Sequence, residues 1–161
     1  MAWYWWIGSS VGIVLIIFMI WGAMLTLRQA HQLKSAIPSF FPQREHLEAK
    51  FLQVASRLGK PRGLNWISCD WDDEVIFARE LQTGKLNALV AVTIHFEAVE
   101  GGDMEGVEAV SLPRNASAVF FYDRGRWSTS GKAVFNLNPA EAIEHFKGQY
   151  ETLENRAKQS M

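Results

Sequence analysis

A chain of 161 residues with 48% hydrophobic and 20% charged side chains has room for one small domain beside any anchor, and its single cysteine, Cys69, excludes an intramolecular disulfide. The formal charge of −1 hides a strong segregation: residues 1–27 carry no Lys, Arg, Asp or Glu, residues 28–62 carry seven basic residues against Glu45 and Glu48, and residues 63–161 carry nine basic against fifteen acidic. With the basic residues gathered beside an apolar run and the remainder acidic, a nucleic-acid-binding role is excluded as the reading of the charge.

That apolar run is Trp3 to Leu27, WYWWIGSSVGIVLIIFMIWGAMLTL. A helix rises about 1.5 Å per residue and a hydrocarbon core is about 30 Å thick, so Ile7 to Leu27 suffices to cross the lipid bilayer, with Trp3, Tyr4, Trp5 and Trp6 at one interface. A secretory signal peptide would show a positive start and an apolar run of about 7–15 residues before a small-residue cleavage site, and neither is present. A buried core helix of this length would need a larger domain than the remaining chain can build. The positive-inside rule places the flank 28–62, net +5, in the cytoplasm, so the protein is expected to be single-pass, N-terminus outside and C-terminal domain cytoplasmic. Gly8 and Gly12 form a G-x-x-x-G pair, and Gly22 and Thr26 repeat the small-xxx-small spacing, which permits close packing on a membrane-protein partner or a second copy.

Beyond the span, Leu27, Ala30, Leu33 and Ile37 continue the helical period, so the anchor with its helical extension is expected to occupy residues 1–37 and to end at Pro38. Residues 38–42 then read as a Pro-bounded linker whose Phe40 and Phe41 either dip back into the membrane interface or, the favoured reading, cover the core of a domain at 43–158, with 159–161 a frayed tail. Leu47, Phe51, Val54 and Leu58 form one face of an amphipathic helix stopped by Gly59 and Pro61. Leu64 to Trp71 alternates with Ile67, Cys69 and Trp71 on one face, and Glu74 to Leu81 is a second β-prone run turned at Gln82–Lys85. Leu86 to Ala98 is the clearest strand, because Leu86, Ala88, Val90, Val92, Ile94, Phe96 and Ala98 alternate with a more polar set, as in a sheet covered on one side.

Glu100 to Gly106 reads as an acidic loop, Val107 to Leu112 as a returning strand closed by Pro113, and Ser117–Tyr122 with Trp127–Asn136 as a hairpin turned at Asp123–Arg126 with a bulge or second turn at Ser130-Gly131. Asn138-Pro139-Ala140-Glu141 is a helix start with a capping box, and Ile143, Phe146, Tyr150, Leu153 and Ala157 extend a stripe over 139–158. The expected fold class is α+β: an antiparallel sheet of four to six strands covered by two amphipathic helices. This order of helix, antiparallel meander and helix resembles cystatin-like and NTF2-like cones, an architecture that carries no function by itself.

No phosphate loop, zinc-ligand pair, hydrolase elbow or haem-attachment motif occurs, and no cofactor or metal is expected. Cys69 reads as a small core residue rather than a nucleophile. Asp70, Asp72, Asp73 and Glu74 lack the Gly-induced turn of a calcium loop and read as a solvated turn. Glu97, Glu100, Asp103, Glu105 and Glu108 gather five carboxylates with no basic residue between 86 and 113; they either solubilise an edge or dock a basic partner. The alternative site is a pocket at the open mouth of a curved sheet, lined by His95, Glu97, Tyr122 and Trp127. A close-packing anchor and a domain without a catalytic constellation suit an accessory or scaffolding protein of a membrane complex better than an enzyme.

Overall fold

A computed structural model describes residues 35–58 and 62–156, the last three by their backbone alone. The predicted span with Gly8, Gly12, Gly22 and Thr26, and the stripe position Ala157 and tail 159–161, lie outside the described residues. Among the described residues no helix is long and apolar enough to cross a membrane.

Residues 35–57 are helical throughout: α-helical over 35–40, a 3₁₀ turn at Phe41–Gln43, then α1, Arg44–Arg57. The expectation that Pro38 ends a helix and opens an extended linker is therefore corrected. Pro42 sits in the first turn of the 3₁₀ segment, where a missing N–H costs nothing, and Gln43 Nε2 donates to the Ser39 carbonyl at 2.8 Å across it.

Five strands follow: β1 Leu64–Glu80, β2 Leu86–Ala98, β3 Arg114–Asp123, β4 Arg126–Phe135 and, after the short helix α2 Pro139–His145, β5 Tyr150–Arg156. They form one curled antiparallel sheet, a half-barrel of order β4-β3-β2-β1-β5. The strand at Leu86–Ala98 falls where its alternation places it. Its even positions share the concave face with Phe77, Phe120 and Trp71, their register partners on β1 and β3. The helix fills that concavity. Phe40 is fully buried with ring centroids 5.0 Å from Trp127, 5.6 Å from Phe77 and 5.7 Å from Phe120, and Phe51 lies 5.4 Å from Trp71 and 5.9 Å from Phe120. Of the expected stripe, Leu47 and Phe51 point inward, but Ala55 takes the next place, leaving Val54 half-buried and Leu58 exposed.

Several expectations are corrected by pairing that no local pattern announces. The two runs 64–71 and 74–81 are one strand, because β2 lies continuous beside them and the surplus residues Asp72, Asp73 and Glu74 bulge out between the pairs Trp71↔Val92 and Val75↔Val90. A second bulge between Trp66 and Ser68 turns Ile67 out to solvent and puts Trp66, rather than Ile67, on the face of Cys69 and Trp71. Val107–Leu112 forms no strand: β2 already has β1 and β3 on its two edges, and the segment holds only a 3₁₀ turn at Glu108–Val110. The helix expected over 139–158 ends at His145. Gly148 takes φ +87°, and Tyr150–Arg156 then pairs with β1 at Val75–Glu80, satisfying edge groups that a helix there would leave unpaired. The capping box at Asn138 does start α2, with Glu141 N–H donating to Asn138 Oδ1 at 2.8 Å and Asn138 N–H to Glu141 Oε2 at 2.9 Å. α2 packs on β1, β2 and β3, and Asn87 and Leu89, on the face expected to meet solvent, are only 5% and 2% exposed.

Candidate functional site

The loop from β2 to β3 carries Glu100, Asp103, Glu105 and Glu108, with Glu97 at the strand end before it, and all five side chains are exposed. None of them has an ion-pair partner among the described residues. The loop is ordered by its own backbone: Gly102 N–H donates to Val99 O at 2.9 Å, Glu105 N–H to Gly102 O at 3.0 Å and Val110 N–H to Val107 O at 3.0 Å. Gly101 N–H donates to Glu105 Oε2 at 2.8 Å, and Arg114 Nη2 donates to Ala109 O at 3.2 Å, tying the end of the loop to β3. Exposed Val99 and Val107 stand between the carboxylates, and exposed Leu112 follows them. Beneath them Leu64, Phe96, Met104, Val110 and Phe135 line an apolar cavity of about 250 Å³ with Arg114 at its margin. Concentrated like charge beside exposed apolar surface is costly for the free domain and suits contact with a basic surface that also buries apolar groups.

Tyr122 and Trp127 meet as register partners, but His95 is not brought to them. His95 lies on the outer face, where its Nε2 is 2.7 Å from Asp70 Oδ2 on β1. Tyr122 pairs with Leu86 at the other end of β2, and Trp127, only 4% exposed, packs its ring 5.3 Å from Tyr122 and 5.0 Å from Phe40 as part of the core. The side chain of Cys69 is half-buried, and burial, then the charges of Asp70 and Glu48, push its thiol up to about 12, which keeps it protonated and a poor nucleophile. The acidic segment after it is the β1 bulge rather than a free turn. Arg44 Nη1 stands 3.7 Å from Asp73 Oδ1 and its Nη2 donates to the Asp72 carbonyl, pinning the bulge to α1. Burial, then Asp72 and Glu141, raise the Glu74 carboxyl above its ordinary value. Among the described residues no group of three or more His, Cys, Asp or Glu is placed to hold a metal ion.

A second polar concavity was not legible from the sequence. The helix contributes Gln43, His46 and Lys50 and the β3–β4 hairpin contributes Arg124, Arg126 and Ser128 to a cavity of about 470 Å³. Lys50 Nζ donates to Ser128 Oγ at 3.1 Å across 78 residues of sequence. The one local signal is the pair of arginines flanking Gly125 in the hairpin turn. The fold and these surfaces define an α+β half-barrel plugged by its own helix, with charged surfaces at its ends. No protein-family model, curated protein or solved structure matches the chain.

Proposed function

We propose that the chain is a single-pass, membrane-anchored accessory or scaffolding protein whose cytoplasmic half-barrel holds a partner in a membrane complex through the loop Glu97–Glu108. The uncharged run Trp3–Leu27 supplies the anchor, and the small-residue pairs Gly8/Gly12 and Gly22/Thr26 supply a close-packing surface for a membrane partner or a second copy. The observation that carries the reading is the loop itself: five exposed carboxylates without ion-pair partners among the described residues, with exposed Val99 and Val107 between them and Leu112 after them. The alternative, a membrane-tethered ligand-binding or enzymatic cone, is the weaker reading, because Phe40 and Phe51 occupy the concavity where such a pocket would open.

The test is a pull-down of the full chain from detergent-solubilised membranes, compared with an anchor-only control. Glu100, Asp103 and Glu105 changed together to Lys should reduce partner recovery roughly tenfold or more, and raised salt should weaken the wild-type complex, while the unfolding midpoint stays where it was. A wild-type chain that runs alone and monomeric in mild detergent, with nothing enriched over the control, overturns the proposal.

A further inference from the structure

The cavity between the helix and the β3–β4 hairpin differs in sign from the domain that holds it. Residues 43–158 are net −3, yet the walls present Lys50, Arg124 and Arg126 against one carboxylate, Asp123. Asp123 is already engaged, with Lys85 Nζ at 3.8 Å and Arg124 Nε at 4.0 Å, whereas Lys50 and Arg126 have no carboxylate partner among the described residues. Lys50 is half-buried and its ammonium is aimed across the cavity by Ser128 Oγ at 3.1 Å. His46 also lines the cavity, and Leu47, Phe121 and Trp127 supply its apolar lining.

The turn that carries the arginines is built against its own conformational preference. Arg124 and Gly125 form a two-residue hairpin loop with φ +48° and +82°, a type I′ turn in which the first position favours Asn, Asp or Gly. The Arg124 side chain is 91% exposed, with Asp123 Oδ2 at 4.0 Å from its Nε, so burial does not account for the strained residue. Strain retained at an exposed cation points to use of the charge.

We propose that this cavity binds a phosphate ester, with Arg126 and Arg124 gripping the phosphate oxygens, Lys50 opposite them, and the organic substituent resting on Leu47, Phe121 and Trp127. Guanidinium forks match phosphate bidentately and an ammonium supplies a point charge, which is the combination the walls hold. Two sources carry this chemistry, an anionic phospholipid headgroup and a soluble phosphate ester. The proposal is independent of the acidic loop, which lies at the other end of β2.

The experiment is calorimetric titration of the full chain in an uncharged maltoside detergent. One arm adds inorganic phosphate and then glycerol 3-phosphate; the other compares micelles doped with phosphatidylglycerol and with phosphatidylcholine. Arg126→Gln and Lys50→Gln should each weaken binding about tenfold, and Lys147→Gln, on a lysine paired with Glu144 outside the cavity, should leave it unchanged. Arg124→Asn should weaken binding and raise the unfolding midpoint together, an opposition that a merely structural residue would not produce. Binding of the soluble probes identifies a soluble ester, and binding confined to phosphatidylglycerol micelles identifies the headgroup; either supports the site. If no probe binds, or if binding is indifferent to all three cavity variants in folded protein, the proposal is overturned.

Discussion

Gly131 lets the sheet approach the backbone of α1 closely. It sits in the β4 bulge with φ +72°, its N–H donating to Thr129 Oγ1 at 3.0 Å, and a Cβ there would stand 2.7 Å from the Ala55 nitrogen and 2.9 Å from its Cα. Backbone atoms of a packed helix cannot step aside as a side-chain end can, so Gly131→Ala should cost about 2–4 kcal/mol, read as a lower urea midpoint. The same change at Gly148, where φ is +87° but nothing lies within 4 Å, should cost only the backbone preference and serves as the control. Cys69 makes a different prediction. Its thiol titrates near 12 in the folded protein against an ordinary value of 9.0, so the unfolded chain loses its proton first. The stability this group contributes is whole below about pH 9 and is lost as pH climbs toward 12. The unfolding midpoint of the wild type should therefore fall more steeply between pH 9 and 11 than that of Cys69→Ala. Coincident slopes in the two proteins would show that the thiol is not held protonated by the fold.

At the scale of elements, what was legible in the sequence is what one element settles alone. The strand β2 could be read residue by residue because burial on one face imposes a period of two on its own side chains. The cap at Asn138 could be read because its two hydrogen bonds close within four residues. Hydrophobicity misplaced the lower half of the α1 stripe, since it ranks Val54 and Leu58 above Ala55, whereas the approach of Gly131 selects the smaller side chain. Tyr150 to Arg156 fits a helical stripe and a strand equally, and the open edge of β1, encoded some 75 residues earlier, decides for the strand. The acidic loop was visible because its charges are contiguous. The basic cavity was not, because Lys50 and Ser128 meet only when the hairpin folds over the helix.

At the scale of the whole molecule, charge is arranged along the folded unit as well as along the chain. The acidic loop follows Ala98, at one end of β2, and the basic cavity adjoins Tyr122, which pairs with Leu86 at the other; thirteen residues of strand separate these ends by on the order of 40 Å. That is several times the Debye length of about 8 Å at physiological salt, so the two surfaces act independently and can engage different partners. On the proposed function, the compartment of those partners follows from the segment before the fold, where an uncharged run is followed by residues 28–62 at net +5. The positive-inside rule counts the basic residues nearest the span, so Arg28 and Lys34 should weigh most in holding the folded unit in the cytoplasm. A phosphatase fused to Met161 should then be inactive, a cytoplasmic reporter at the same place should be active, and protease added to intact cells should leave the folded unit whole. Changing Arg28 and Lys34 together to Gln should raise the fraction of active phosphatase. An active phosphatase on the unaltered chain would reverse the topology and put the acidic loop and its partner on the other side of the membrane.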